Sequence, residues 1–90
     1  MKRKLKVFGW QGRRLECPRA PNGDCSTREI VAAKFASEAA RLAGYDRPAQ
    51  MFNLCETGNA GEIAKALSEP GVIFWGPLDA FGRDREWRKA

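Results

Sequence analysis

The sequence predicts an α+β fold, a small three-stranded, mostly antiparallel sheet packed against two or three short helices in the chain order ββααβ. Three stretches predict this fold. Residues 71–78 form an uninterrupted apolar run, residues 4–10 alternate between apolar and polar side chains, and residues 37–43 are rich in Ala. These patterns are typical of a buried strand, a half-buried strand and a helix. We assign residues 1–82 to a single domain and residues 83–90 to a charged tail.

The run over residues 71–78 is predicted to be the central strand. It is rich in β-branched and aromatic side chains. The pair Pro70-Gly71 bounds these side chains on the N-terminal side, and the pair Gly76-Pro77 bounds them on the C-terminal side. A strand that is apolar on both faces needs other strands to pair with it and further elements to cover it. The remaining segments are expected to supply them.

The first strand is predicted over residues 4–10, and its two faces differ. Leu5 and Val7 point to one side, and the other side carries Lys4, Lys6, Phe8 and Trp10. A basic and aromatic strand face can grip single-stranded nucleic acid by stacking bases and holding phosphates. Since a strand aromatic more often belongs to the core, we favour packing for both rings.

A long connection is predicted over residues 11–27, where Pro, Asn, Gly and Asp are dense. Asn22 and Gly23 form a good tight-turn pair. A loop of this length in a small domain is often functional. It carries three arginines, Arg13, Arg14 and Arg19.

Residues 27–44 fit two structures. A capping box over residues 26–29 and a polar stripe at helical spacing favour one long helix. Alternatively, residues 28–33 form a strand and a helix begins near Ala36. We choose the strand followed by the helix, because a viable sheet needs a third strand.

Residues 39–46 are similar to the first helix and turn of helix-turn-helix repressors, with Ala40 and Gly44 at the small-residue positions. A second short helix is predicted over residues 49–54. In such a unit the base-reaching side chains would be Arg47, Gln50 and Asn53. Because Gln50 stands where an apolar residue is expected, we favour an ordinary helical corner packed on the sheet.

A further helix is predicted after Asn59, which together with Glu62 resembles a capping pair. We expect this helix to bury Ile63, Ala64 and Leu67 and to end before Pro70. The preceding glycines do not predict a phosphate loop, because Glu62 would place negative charge where the anion binds.

The residue types present argue against an enzyme and against a metal centre. The chain has no His, so Ser-His or Cys-His activation is impossible within it, and no carboxylate pair stands out. Three cysteines at irregular spacing, Cys17, Cys25 and Cys55, are typical of free thiols rather than a disulfide framework. We therefore predict no catalytic residue, no metal ligand and no cofactor.

The charge is uneven along the chain. Residues 1–19 carry seven basic and one acidic side chain (+6), residues 20–82 five and eight (−3), and residues 83–90 four and two (+2). Basic ends around a mildly acidic centre favour an anionic partner, nucleic acid first, although solvated termini have the same composition. The basic start lacks a following apolar segment and no run is long enough for a bilayer, so we expect a cytoplasmic protein without a membrane partner.

Four segments together resemble short uncharacterised proteins of phages and other mobile elements: residues 38–41, 56–59, 62–63 and 70–75. The resemblance spans roughly residues 28–78. It implies small non-enzymatic proteins that bind DNA or that bind and block a host protein.

Our leading hypothesis is a nucleic-acid-binding accessory protein. Its predicted site residues are Lys4, Lys6, Arg13, Arg14, Arg19, Arg47, Gln50 and Asn53. The alternative is an inhibitor or adaptor that blocks a host protein through exposed Trp10, Trp87 and Arg88, since Trp and Arg dominate interface hot spots. A third possibility is a homodimer in which the second copy covers an apolar patch.

Overall fold

The computed structural model describes residues 5–13, 26–77 and 87–90. The described part contains five strands, two α-helices and one 3₁₀ turn. In chain order these are β1 (Lys6–Arg13), β2 (Ser26–Ala33), α1 (Ala36–Leu42), the 3₁₀ turn (Pro48–Gln50), β3 (Phe52–Glu56), α2 (Ala60–Ser68), β4 (Phe74–Pro77) and β5 (Arg88–Lys89).

The five strands form one sheet in the order β3-β1-β2-β4-β5, and every neighbouring pair is antiparallel. The fold is α+β, as predicted, but the prediction of three strands is wrong. One added strand, β3, comes from the segment predicted as the second helix. The other, β5, comes from residues assigned to the charged tail.

The sheet is centred on β2. The alternative with a strand and then a helix in this region is confirmed, since β2 ends at Ala33 and α1 begins at Ala36. The run predicted to be central forms β4, which is limited to Phe74–Pro77 and pairs with β2 and β5. Its burial on both faces is confirmed because consecutive residues Phe74 and Trp75 are both buried. The prediction that it is the central strand is wrong, because β2 takes that place.

Hydrophobic clusters lie on both faces of the sheet. On the α1 face, Phe8, Trp10, Val31 and Ala33 pack with Ala39, Ala40 and Met51. On the α2 face, Val7, Ile30, Ala32 and Phe74 pack with Ala66. The alternation along β1 and β2 therefore sends neighbouring side chains into different clusters. Phe8 and Trp10 are core residues, as we favoured.

The predicted second helix is absent. Only Pro48–Gln50 turns helically before the chain extends into β3, so no helix-turn-helix unit forms. Pairing with β1 explains the difference, because hydrogen bonds to a neighbouring strand override the helical propensity of residues 49–54.

Helix α2 is confirmed, with Asn59 accepting a hydrogen bond from the Glu62 backbone N–H at 3.0 Å. Its predicted buried face is partly wrong: Ile63 packs half-buried against the α2-side cluster, but Ala64 and Leu67 are exposed, and Glu62 and Ala66 are buried instead. The helix turns this way because the Glu62 carboxylate binds an arginine on the sheet, as described below.

Candidate nucleic-acid-binding surface

A row of residues crosses the α2 face of the sheet near the end of β1. Phe52 of β3 lies opposite Gln11 of β1, Gln11 lies opposite Arg28 of β2, and Arg28 lies opposite Gly76 of β4. Residues paired in this way project from the same face. We call Gln11, Arg28, Phe52 and Asn53 the open sheet surface.

The open sheet surface is accessible to solvent, whereas α2 covers the aliphatic part of the same face. Phe52 is 63% exposed, the most exposed large hydrophobic side chain in the part of the chain that the structure describes. Gln11 and Arg28 are half-buried, and Gly76 adds no side chain beside Arg28. The aliphatic residues under α2 lie farther along the same strands, at Val7, Ile30 and Ala32.

Asn53 owes its position to a bulge in β3. The register between β1 and β3 shifts between Gly9 and Gln11, so that Asn53 and Leu54 together oppose a single residue of β1. Asn53 has a φ of 57°, in the left-handed region that Asn tolerates better than most residues. Its Nδ2 donates to Gln11 Oε1 at 3.3 Å, which joins the two amides across the strand pair.

Arg28 is held in place by the first turn of α2. Its Nε donates to Glu62 Oε2 at 2.8 Å and its Nη2 donates to Glu62 Oε1 at 2.9 Å. Thr57 Oγ1 donates to the same Oε1 at 2.6 Å and thereby fixes the carboxylate. The hydrogen bond to Glu62 raises the pKa of Arg28 above its ordinary value, so the guanidinium stays charged at neutral pH.

Gly9 provides the space in which the guanidinium lies. A Cβ built on Gly9 would come within 2.2 Å of Arg28 Nη2 and 2.5 Å of its Cζ. The arginine therefore crosses from β2 over β1, toward β3. A side chain at residue 9 would displace it.

The α1 face has a different polar group, which is closed to solvent. Thr27 and Glu29 are buried, and Thr27 Oγ1 donates to Glu29 Oε2 at 2.8 Å. Glu29 lies between Trp10 of β1 and Trp75 of β4 in the pairing register. This group has a structural role and presents no surface to a partner.

The predicted nucleic-acid residues are divided by the fold. Lys6 and Arg13 lie at opposite ends of β1, about 24 Å apart at ~3.4 Å per residue. Lys6 is exposed on the α1 side of the sheet. Lys4, Arg14 and Arg19, together with Cys17 and Cys25, lie outside the described residues.

The residues predicted from the helix-turn-helix similarity are partly used in the local structure. Gln50 Oε1 accepts hydrogen bonds from the backbone N–H groups of Asp46 (2.8 Å) and Arg47 (3.2 Å). Its oxygen is therefore committed to the turn. Arg47 is exposed just before the 3₁₀ turn, and Asn53 belongs to the open sheet surface.

The predicted protein-binding residues do not form an exposed anchor. Trp10 is 1% exposed, so the expectation that it lies on the surface is wrong. Trp87 is half-buried against the α2-side cluster. The guanidinium of Arg88 lies over the buried ring of Trp75, 5.5 Å from its centroid.

The described residues contain no group of three or more Cys, Asp or Glu side chains suited to a metal ion. Cys55 is free and exposed on β3. In the same ranges no helix is both long and apolar enough to cross a bilayer. No protein-family model, no curated protein and no solved structure matches the chain.

Sequence reasoning missed three members of the open sheet surface, Gln11, Arg28 and Phe52. Phe52 lies in the segment predicted as the second helix, so its place beside β1 was not expected. Arg28 and Glu62 are 34 residues apart, and no local pattern connects them. The related pattern in the sequence, a strand face that combines cations with aromatic rings, pointed to Lys4, Lys6, Phe8 and Trp10 instead.

Proposed function

We propose that this protein is a non-enzymatic accessory protein that binds single-stranded nucleic acid on the open sheet surface. The observation that carries the proposal is Phe52, an exposed aromatic ring beside a joined amide pair and an arginine. An exposed ring on a sheet offers a stacking platform to an unpaired base. Paired bases in a duplex cannot stack on it without being opened.

The charges around the ring support an anionic ligand. Arg13 is the last residue of β1, and Arg47 is exposed shortly before β3. Residues 1–19 carry the largest excess of basic side chains in the chain. Basic side chains of this kind would bind the phosphates of the same strand.

The protein-binding alternative has less support, because Trp10 is buried, Trp87 is half-buried and the exposed Arg88 lies over the ring of Trp75. Pairing of two copies through the edge strand β3 is disfavoured, because β3 is interrupted by a bulge and ends in Glu56. Bulges and charges are features that discourage pairing between edges. Our proposal places the protein in the cytoplasm, where an exposed thiol such as Cys55 stays reduced.

The test is fluorescence anisotropy with labelled single-stranded and duplex oligonucleotides of mixed sequence, across a salt series. We expect tighter binding to single strands, with log K falling linearly with log salt at about −0.7 per phosphate contacted. Phe52→Ala should weaken binding by about 5- to 150-fold, the range for loss of one stacked base. No binding to any oligonucleotide at low salt would overturn the proposal.

Phe35→Ala is the matched control. Phe35 is also an exposed Phe, at 45%, but it precedes α1 and lies away from the open sheet surface. The control should bind like the wild type. Equal losses of oligonucleotide affinity for Phe35→Ala and Phe52→Ala would show that the binding site is not the open sheet surface.

A further inference from the structure

Arg28 has hydrogen-bonding capacity that the described residues do not use. A guanidinium carries five N–H groups, one on Nε and two on each Nη. Glu62 takes the Nε–H and one N–H of Nη2. Within the described part of the chain Arg28 makes no further hydrogen bond, which leaves both N–H groups of Nη1 and one of Nη2.

The unused groups form the end of the planar guanidinium fork. Glu62 binds the side of the fork, and its carboxylate is itself fixed by Thr57 and by the start of α2. The Arg28 side chain is only 19% exposed and lies against Gly9, so its orientation is set before a ligand arrives. A pre-oriented fork pairs best with two adjacent acceptors in one plane.

The ion pair with Glu62 decides which kind of acceptor fits. Arg28 and Glu62 together carry no net charge, and the nearby carboxylate repels a phosphate. A neutral base edge with two acceptors meets no such repulsion. Guanine presents O6 and N7 side by side, and arginine bound to these two atoms is the commonest specific contact to a base.

We propose that Arg28 is the base-selecting residue of the open sheet surface and that it selects an unpaired guanine stacked on or next to Phe52. This inference rests on the proposed single-strand binding. The pairing register places Phe52 two strands from Arg28, about 10 Å at ~4.8 Å per strand. The guanidinium shortens this gap because it lies over Gly9 of the intervening strand. A purine also offers a larger stacking surface than a pyrimidine.

The test compares thymine nonamers that carry one central guanine, adenine or cytosine, with the all-thymine nonamer as reference. We expect the guanine nonamer to bind wild type on the order of tenfold more tightly than the other three. Arg28→Lys keeps the charge opposite Glu62 but loses the fork, and it should bind all four nonamers within about twofold of one another.

A second measurement leaves the protein unchanged. Replacing the guanine by 7-deazaguanine removes the N7 acceptor while keeping O6 and the stacking surface. We expect the guanine preference to disappear with this probe, even if Arg28→Lys does not fold. Arg41→Lys is a matched control, because Arg41 is an exposed arginine of α1, on the other face of the sheet, and this variant should retain the preference.

The outcomes separate the two proposals. Equal binding of the four nonamers by wild type, a preference for cytosine, or a guanine preference that survives 7-deazaguanine would each overturn the role of Arg28 and leave single-strand binding standing. Failure to bind any nonamer would overturn the proposed function and this inference with it.

Discussion

The two faces of the sheet use similar residue types for different purposes. On the α1 face, Trp10 and the Thr27–Glu29 pair are buried. On the α2 face, Phe52 is exposed and the Arg28–Glu62 pair is partly open to solvent. An aromatic ring and a polar pair thus form a closed core on one side and an accessible surface on the other.

This difference shows that residue composition alone does not distinguish a buried core from an accessible surface. Trp10 and Gln11 are neighbours in β1 and point to opposite faces. What distinguishes their roles is the layer above them. The α1 face is buried around Trp10, whereas α2 covers the aliphatic part of the other face and touches the open sheet surface through Glu62.

The largest loss of stability is expected from a substitution on the α1 face. Trp10→Ala should lower the free energy of unfolding by about 3–5 kcal/mol, because it removes a buried ring and leaves a cavity. Urea denaturation followed by circular dichroism measures this. A loss below about 1 kcal/mol would show that Trp10 is not a core residue.

A matched pair of glycines compares the two faces directly. A Cβ on Gly12 would come within 2.6 Å of the buried Glu29 Oε2, and a Cβ on Gly9 would meet the Arg28 guanidinium. Gly12→Ala should lower the free energy of unfolding by about 2–3 kcal/mol, toward the upper end of the range for overpacking. Gly9→Ala should cost about 1 kcal/mol, because Arg28 can move toward solvent.

A larger loss of stability for Gly9→Ala than for Gly12→Ala would contradict this difference between the two faces. In that case Arg28 would be as tightly confined as Glu29. Gly9→Ala should also remove any guanine preference, since it displaces the guanidinium. Gly12→Ala should leave that preference intact in the fraction that folds.

An intermediate effect is expected at the cap of α2. Asn59→Ala removes the acceptor for the Glu62 backbone N–H and should destabilise the fold by about 1 kcal/mol. Asn59→Asp keeps an acceptor there and should be close to neutral in thermal unfolding. If both substitutions destabilise equally, the hydrogen bond to residue 62 is not what stabilises this helix end.

The smallest effect on stability is expected at Phe52. Because most of its side chain is exposed, Phe52→Ala should change the free energy of unfolding by no more than about 0.5 kcal/mol. The same denaturation series measures it. A loss as large as that of Trp10→Ala would make Phe52 a packing residue rather than a binding one.

The parts of the fold that the sequence predicted depend on local signals. The change from β2 to α1, the Asn59 cap and the stop before Pro70 all follow from residues close in the chain. β1 followed from alternation, and the core role of Phe8 and Trp10 from the usual burial of aromatic residues.

The parts that were not predicted depend on distant partners. Residues 52–56 have no strong strand pattern, and they become extended because β1 offers them hydrogen bonds. β5 contains only Arg88 and Lys89, too short for any periodicity. The open sheet surface combines residues from three strands with Glu62 of α2, so its composition was visible only in the folded chain.

The most direct test of the account is a ¹⁵N–¹H chemical-shift titration of the whole chain with a single-stranded thymine nonamer carrying one guanine. We expect the largest chemical-shift changes on the α2 face, at Gly9, Gln11, Arg28, Phe52 and Asn53. Shifts concentrated around Lys34 and Phe35 beside α1, or none at saturating oligonucleotide, would contradict it.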